Sequence, residues 1–124
     1  MDTEAAIFQE AISSGIIDRK RLAELCELDE GSTVFAASLV EDFAPQIDSF
    51  FLDFDTSLNK QDLSGVVRTA HKLKSSLANI AAGRASRACA NIEKSVTSVT
   101  PIDTVQALIE NLKQEILSFL NAVR

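Results

Sequence analysis

Apolar residues recur along most of the chain at spacings of three and four, the repeat of one face of an α-helix. Thr3 to Ser13 is predicted as a first short helix, with Thr3 as its cap and Ala6, Ile7, Ala11 and Ile12 as its stripe. Ser14-Gly15 ends it. After Ile16 and Ile17, Asp18 is placed to cap a second short helix that carries Leu22, Leu25, Cys26 and Leu28. Asp29-Glu30-Gly31 is a turn, and Ser32 or Thr33 caps the next element. From Thr33 to Leu58 the residues Phe35, Leu39, Phe43, Ile47, Phe50, Phe51, Phe54 and Leu58 mark one long amphipathic helix. Pro45 lacks an amide hydrogen, so this helix is expected to bend near Phe43, or to leave a missing bond there that solvent satisfies.

A further helix is expected from about Lys60 to Ala82, with Val66, Val67, Ala70, Leu73, Leu77, Ile80 and Ala81 on its buried face. Gly83 reads as a stop or hinge, and Ala85, Ala88, Cys89, Ile92 and Val96 continue a helix over about Arg84 to Val96. Thr100 as N-cap, Pro101 at the first helical position and Asp103 in the first turn announce the last helix. It buries Ile102, Val105, Leu108, Leu112, Ile116, Phe119, Leu120 and Val123 and ends at Arg124, a cation suited to a helix C-terminus. No stretch alternates with period two, and no hairpin turn signal occurs. The expected fold is therefore all-α: an antiparallel up-down-up-down four-helix bundle preceded by two short N-terminal helices. Residues 1–124 form one domain, with the bundle core over about 33–124.

Composition narrows the function. The net charge of −6 argues against nucleic acid or an anionic membrane as partner. The absence of Trp and Tyr leaves few platforms for stacking bases. Glu41, Asp42, Asp48, Asp53 and Asp55 read as a solvated face, since they lack the alternating oxygens and glycine of a calcium loop. Cys26 and Cys89 have no second Cys or His at ligand spacing and read as reduced core residues. The N-terminus is acidic, without the basic region of a signal peptide, and no apolar run approaches the ~20 residues of a membrane span. A cytoplasmic protein is expected, and the initial Met favours a free protein over an excised domain.

The motifs of nucleotide binding, zinc hydrolysis and strained serine nucleophiles are absent. With a single histidine, a His-rich metal site is impossible. What remains is that histidine, His71, which lies about 120° from the centre of its helix's apolar face at ~100° per residue. Ser64, Val67, Arg68, Lys74, Ser75, Ala78 and Ala82 surround it at helical spacing, mostly small residues with two cations. A neutral imidazole nitrogen is a good nucleophile. A phosphoryl group placed on it is strongly anionic, and Lys74, one turn on, is positioned to partner it. A surface histidine without function is the alternative that the composition leaves open.

His71-Lys72-Leu73-Lys74-Ser75-Ser76, followed by Asn79-Ile80-Ala81-Ala82, resembles the His-x-Leu-Lys-Gly/Ser-Ser signature of histidine-containing phosphotransfer (HPt) domains of two-component phosphorelays. The stretches Leu22 to Asp29 and Phe35 to Phe43 resemble the segments that precede the phosphorylated helix in fungal and plant-type members. Arg84 and Cys89 fall where such members often carry Arg and Cys. The resemblance covers roughly Ile17 to Arg124. It implies a monomeric phosphocarrier rather than an enzyme, with no cofactor of its own. His71 accepts a phosphoryl group from an aspartyl phosphate on one receiver domain and passes it to an aspartate on another, and the receiver brings the Mg²⁺. Lys74 stabilises the phosphohistidine, Leu73 and Leu77 face the core, and Arg68, Ser75, Ala78 and Glu93 neighbour the site. Receivers are expected to dock on Ile16, Ile17, Ser64 and the small residues around His71.

The chain departs from the family pattern at three positions. Ser75 stands where many members have Gly, adding a hydroxyl and slight crowding. Ala81 replaces another common Gly, so the helix is expected to run on to Gly83. Glu93 stands where some members have a Gln bonded to the imidazole; a carboxylate fixes the tautomer there but repels a phosphoryl group. Two alternatives belong to other classes. A dimerising sensor-kinase hairpin calls for an acid directly after the histidine, where Lys72 stands. A helical adaptor or receiver-binding module binds receivers without transferring phosphate.

Overall fold

The structure, a computed structural model, describes residues 9–123. Thr3, Ala6 and Ile7 of the first predicted helix, and Arg124 at the end of the last, lie outside the described residues. Residues 9–13 are helical, with Ala11 buried. Six longer helices follow: α1 (Arg19–Leu28), α2 (Val34–Phe43), α3 (Ile47–Asn59), α4 (Leu63–Asn79), α5 (Gly83–Ser95) and α6 (Ile102–Val123). Among the described residues no β-strand occurs, and the architecture is an all-α bundle in which α3, α4, α5 and α6 each pack on the next. An isolated bridge joins Ile17 to Ala82.

The buried face of α4 is the one its periodicity predicts: Val66, Ala70, Leu73 and Leu77 are fully enclosed. They meet Phe54 of α3, Cys89 and Ile92 of α5, and Val105, Leu112 and Ile116 of α6 in one core. Val67 is half-buried at its edge. Glu41, Asp42, Asp48, Asp53 and Asp55 are all exposed. Cys89 is in the core, but Cys26 is only half-buried, because it sits on the flank of α1 rather than on the line of Leu25. Leu28, the last residue of α1, is largely exposed.

Helix ends differ most from the sequence-based expectation. The long helix expected over Thr33 to Leu58 is divided by a 3₁₀ turn, Ala44–Gln46, around Pro45. Phe43, Ala44, Gln46 and Ile47 all keep right-handed helical dihedrals, so the proline tightens the chain without breaking it. Ser32 Oγ, not Thr33, accepts the amide of Val34, at 3.1 Å. Thr100 does not cap α6: its hydroxyl accepts the amide of Thr97 at 2.8 Å, and the Pro101 carbonyl begins the helix instead. Helix α4 begins at Leu63 rather than Lys60, capped by Asp62, whose Oδ1 accepts the Gly65 amide at 3.0 Å. That amide and the Ser64 hydroxyl, ahead of the Arg68 charge, hold the Asp62 carboxyl below the usual carboxylate range.

Helix α4 also stops earlier than expected. It ends at Asn79, although Ala81 is not glycine. The Ala82 amide reaches the Leu77 carbonyl at 2.9 Å and the Ala81 amide the Ala78 carbonyl at 3.2 Å, which is the Schellman pattern of a helix end. Ala81 takes the left-handed position of that motif, with φ +67°, at a cost of about 1–2 kcal/mol for an L-residue. Two long-range backbone hydrogen bonds hold the turn: the Asp18 amide donates to the Ala81 carbonyl at 2.8 Å, and the Gly83 amide to the Ile16 carbonyl at 3.0 Å.

Gly83 therefore opens α5 rather than ending α4, and its lack of a side chain has a steric cause. A Cβ at Gly83 would lie 2.6 Å from the backbone oxygen of Gly15. We expect Gly83→Ala to lower stability by about 2 kcal/mol, the usual range for overpacking a site that cannot relax. Denaturant unfolding monitored by circular dichroism measures this; an unchanged midpoint contradicts the close approach.

Candidate functional site

The site is built where α4 and α5 run antiparallel. His71 and Glu93 each lie eleven residues from Ala82 in the turn, so the reversal brings them opposite one another. Glu93 Oε1 is 2.7 Å from His71 Nδ1, and Lys74 Nζ donates to the other carboxylate oxygen, Oε2, at 2.8 Å. One carboxylate thus bridges two side chains of the neighbouring helix. Ser86 Oγ donates to the Lys74 carbonyl at 3.4 Å, a weaker tie between the same helices.

Burial is graded across this triad. The Glu93 side chain keeps 20% of its surface and Lys74 32%, whereas His71 keeps 69%. The hydrogen bond from Lys74, then that from His71, hold the Glu93 carboxyl below its ordinary value against the opposing effect of burial. Glu93 is therefore an acceptor, so Nδ1 of a neutral His71 carries the proton. The lone pair is left on Nε2, on the side of the ring away from Glu93. The arrangement orients an imidazole and leaves one nucleophilic nitrogen open to a partner.

The remaining predicted residues sort into three groups. Ser75 and Ala78 are exposed on α4 beyond His71. Arg68, one turn before His71, is exposed and makes longer contacts, 3.2 Å to Ser64 Oγ and 3.4 Å to Asp62 Oδ2. Ser64 is exposed in the first turn of α4. The N-terminal segment is different. Ile16 is half-buried, and Ile17 is 2% exposed, enclosed by the core and bridged to Ala82. Ile17 thus has no face to offer a receiver: its expected docking role is corrected to a structural one, fixing the α4–α5 turn. No group of three or more His, Cys, Asp or Glu suited to a metal ion occurs among the described residues.

Lys74 and Glu93 were separate features of the sequence, and their pairing was missed. The signal was the equal distance of His71 and Glu93 from the helix reversal, unusable until the reversal was located at Ala81 and Ala82. Cys89 lies one helical turn before Glu93, within the core, where burial first and the Glu93 charge second push its thiol up to about 12. A thiol held protonated is unreactive. In the native protein a thiol reagent is expected to modify Cys26 and spare Cys89, with the second thiol titrating only on denaturation; two equally fast thiols would contradict this burial.

Comparisons with known proteins identify the family. The chain matches the model of the Hpt domain over residues 38–121. It is 31% identical over 85 residues to the phosphorelay intermediate protein YPD1 of Candida albicans (strain SC5314 / ATCC MYA-2876), across 68% of this chain and 46% of that protein. The chain thus spans about half the length of the curated relative it matches. No solved structure matches it. The matched segment contains α4 and α5 with His71, Lys74 and Glu93, and the chain belongs to the Hpt domain family.

Proposed function

We propose that this protein is a phosphorelay carrier that takes a phosphoryl group on Nε2 of His71 from a receiver-domain aspartyl phosphate and delivers it to an aspartate of another receiver. The observation that carries the reading is the exposed ring whose Nδ1 is held by Glu93 at 2.7 Å. Membership of the Hpt family supports it. In the forward step the Nε2 lone pair forms a bond to phosphorus, the bond from phosphorus to the donor aspartate oxygen breaks, and the carboxylate leaves with its electron pair. The Nδ1 proton stays in place throughout. The return step reverses this onto the acceptor aspartate.

Attack by Nε2 places positive charge on the ring, and the Glu93 carboxylate stabilises it through the Nδ1–H bond, much as the Asp of a serine-protease triad stabilises its imidazolium. Glu93 lies across the ring from the incoming phosphorus, so attraction to the imidazolium outweighs its repulsion of the phosphoryl group. Lys74 keeps Glu93 ionised, and an ammonium has three donors, so those not used by Glu93 serve a phosphoryl oxygen. The protein acts as a monomer in the cytoplasm. It is a carrier and not an enzyme, and the receiver supplies the Mg²⁺ that assists transfer.

Incubation with a phosphorylated receiver is expected to give acid-labile, base-stable phosphate on the wild type and none on His71→Gln. Equal labelling of His71→Gln would end this reading, and tight receiver binding without transfer would return the protein to an adaptor. Glu93→Gln keeps an acceptor for Nδ1–H but loses the charge. It is expected to slow acceptance by about fivefold to tenfold, the difference of ~1 kcal/mol between charged and neutral hydrogen bonds. An accelerated Glu93→Gln would show that repulsion of the phosphoryl group dominates.

A further inference from the structure

A cleft of about 550 Å³ opens at the end of the bundle where α4 begins. Asp62, Ser64, Val67 and Arg68 form one wall, and Val96 and Ser98, after the last turn of α5, form the other. Its place relative to His71 follows from helix geometry. Side chains of a helix lean back over the preceding turn, so the His71 ring lies over Val67 and Arg68, the inner wall of the cleft. The cleft and the exposed imidazole are therefore neighbours, about one helical turn apart.

The chemistry of this surface differs from the rest of the protein. The chain carries a net charge of −6, and the exposed side chains of α2 and α3 include Glu41, Asp42, Asp48, Asp53 and Asp55. Around His71 the most exposed charges are Arg68 and Lys72, beside the partly exposed carboxylates of Asp62, which pairs with Arg68, and Glu93, which pairs with Lys74. Arg68 leaves 67% of its side chain in solvent, and its 3.4 Å contact to Asp62 is an exposed pair, a kind that holds weakly and exchanges readily. Beneath it Val67 and Val96 line the cleft with apolar surface from its two sides, while Val99, next after Ser98, is 85% exposed. A cationic arm over an apolar lining suits an anionic group followed by an apolar one.

We infer that this cleft is a receiver-docking subsite, taking a loop of the receiver that carries a carboxylate for Arg68 and an apolar side chain to lie between Val67 and Val96. The inference rests on the carrier reading, since a receiver that delivers its phosphoryl group to Nε2 must cover the turn over which the ring lies. The donor is itself anionic at the point of contact, so the cationic rim of His71 matches it in sign. Docking here sets which receiver is used and how fast it arrives, and leaves the transfer chemistry to His71 and Glu93.

Two variants and two donors test this. Ser98→Trp fills the cleft from its outer wall, and Arg68→Glu reverses the charge; both are first checked for wild-type melting. The receivers are those that transfer fastest to the wild type, and phosphoramidate serves as a small donor that needs no docking. Ser98→Trp is expected to lower the receiver-driven rate by about tenfold while phosphoramidate labels His71 at the wild-type rate. Arg68→Glu is expected to weaken receiver binding by about tenfold at low salt and less at high salt, the signature of a rim charge. Unchanged receiver rate and affinity in both variants would overturn the subsite. Equal loss with both donors would also overturn it, because the cleft would then act on the chemistry. A wild type labelled by neither donor would instead remove the carrier reading on which the subsite rests.

Discussion

Between Asn79 and Gly83 the chain reverses direction within a Schellman turn, and that reversal sets the register on which the site depends. Ala81 adopts a left-handed conformation there, an unfavourable choice for an alanine that local preference alone would not make. The compensation comes from outside the turn, where Ile16 and Asp18 clamp it with backbone hydrogen bonds and Gly83 admits the Gly15 carbonyl. Ile17 is buried as part of the same clamp. If the reversal moved by one residue, Glu93 would rotate by about 100° on α5 and lose the imidazole.

Within that register one carboxylate has two tasks. Glu93 binds Nδ1 of His71 through one oxygen and the Lys74 ammonium through the other. The lysine keeps the carboxylate charged, and the carboxylate fixes the imidazole tautomer. The carboxylate is mostly enclosed while the ring is mostly open, a gradient that suits a nucleophile oriented from below and used from above. The carboxylate charge thereby lies on the Nδ1 side of the ring, across from Nε2.

Much of this was legible in the chain. The core face of α4 is spaced at the helical repeat from Val66 to Leu77, and local periodicity suffices to find it. His71 stood out because it is the sole histidine and lies off that face. Positions governed by distant contacts were not legible. Ile17 reads alike whether it faces solvent or core, and only its bridge to Ala82 decides. Gly83 resembled a helix stop because its true reason, the Gly15 oxygen, is 68 residues away. Glu93 looked like a source of repulsion because its position across the ring from Nε2 depends on the packing of two helices.

The role proposed for Glu93 is to select which nitrogen of His71 reacts. Long-range ¹H–¹⁵N correlation spectra of the imidazole, recorded before and after phosphorylation by phosphoramidate, report it directly. A proton on Nδ1 in the resting protein, retained after phosphorylation, with phosphorus on Nε2, is expected. A resting ring protonated on Nε2 with Nδ1 bare, or phosphorus on Nδ1, would contradict it.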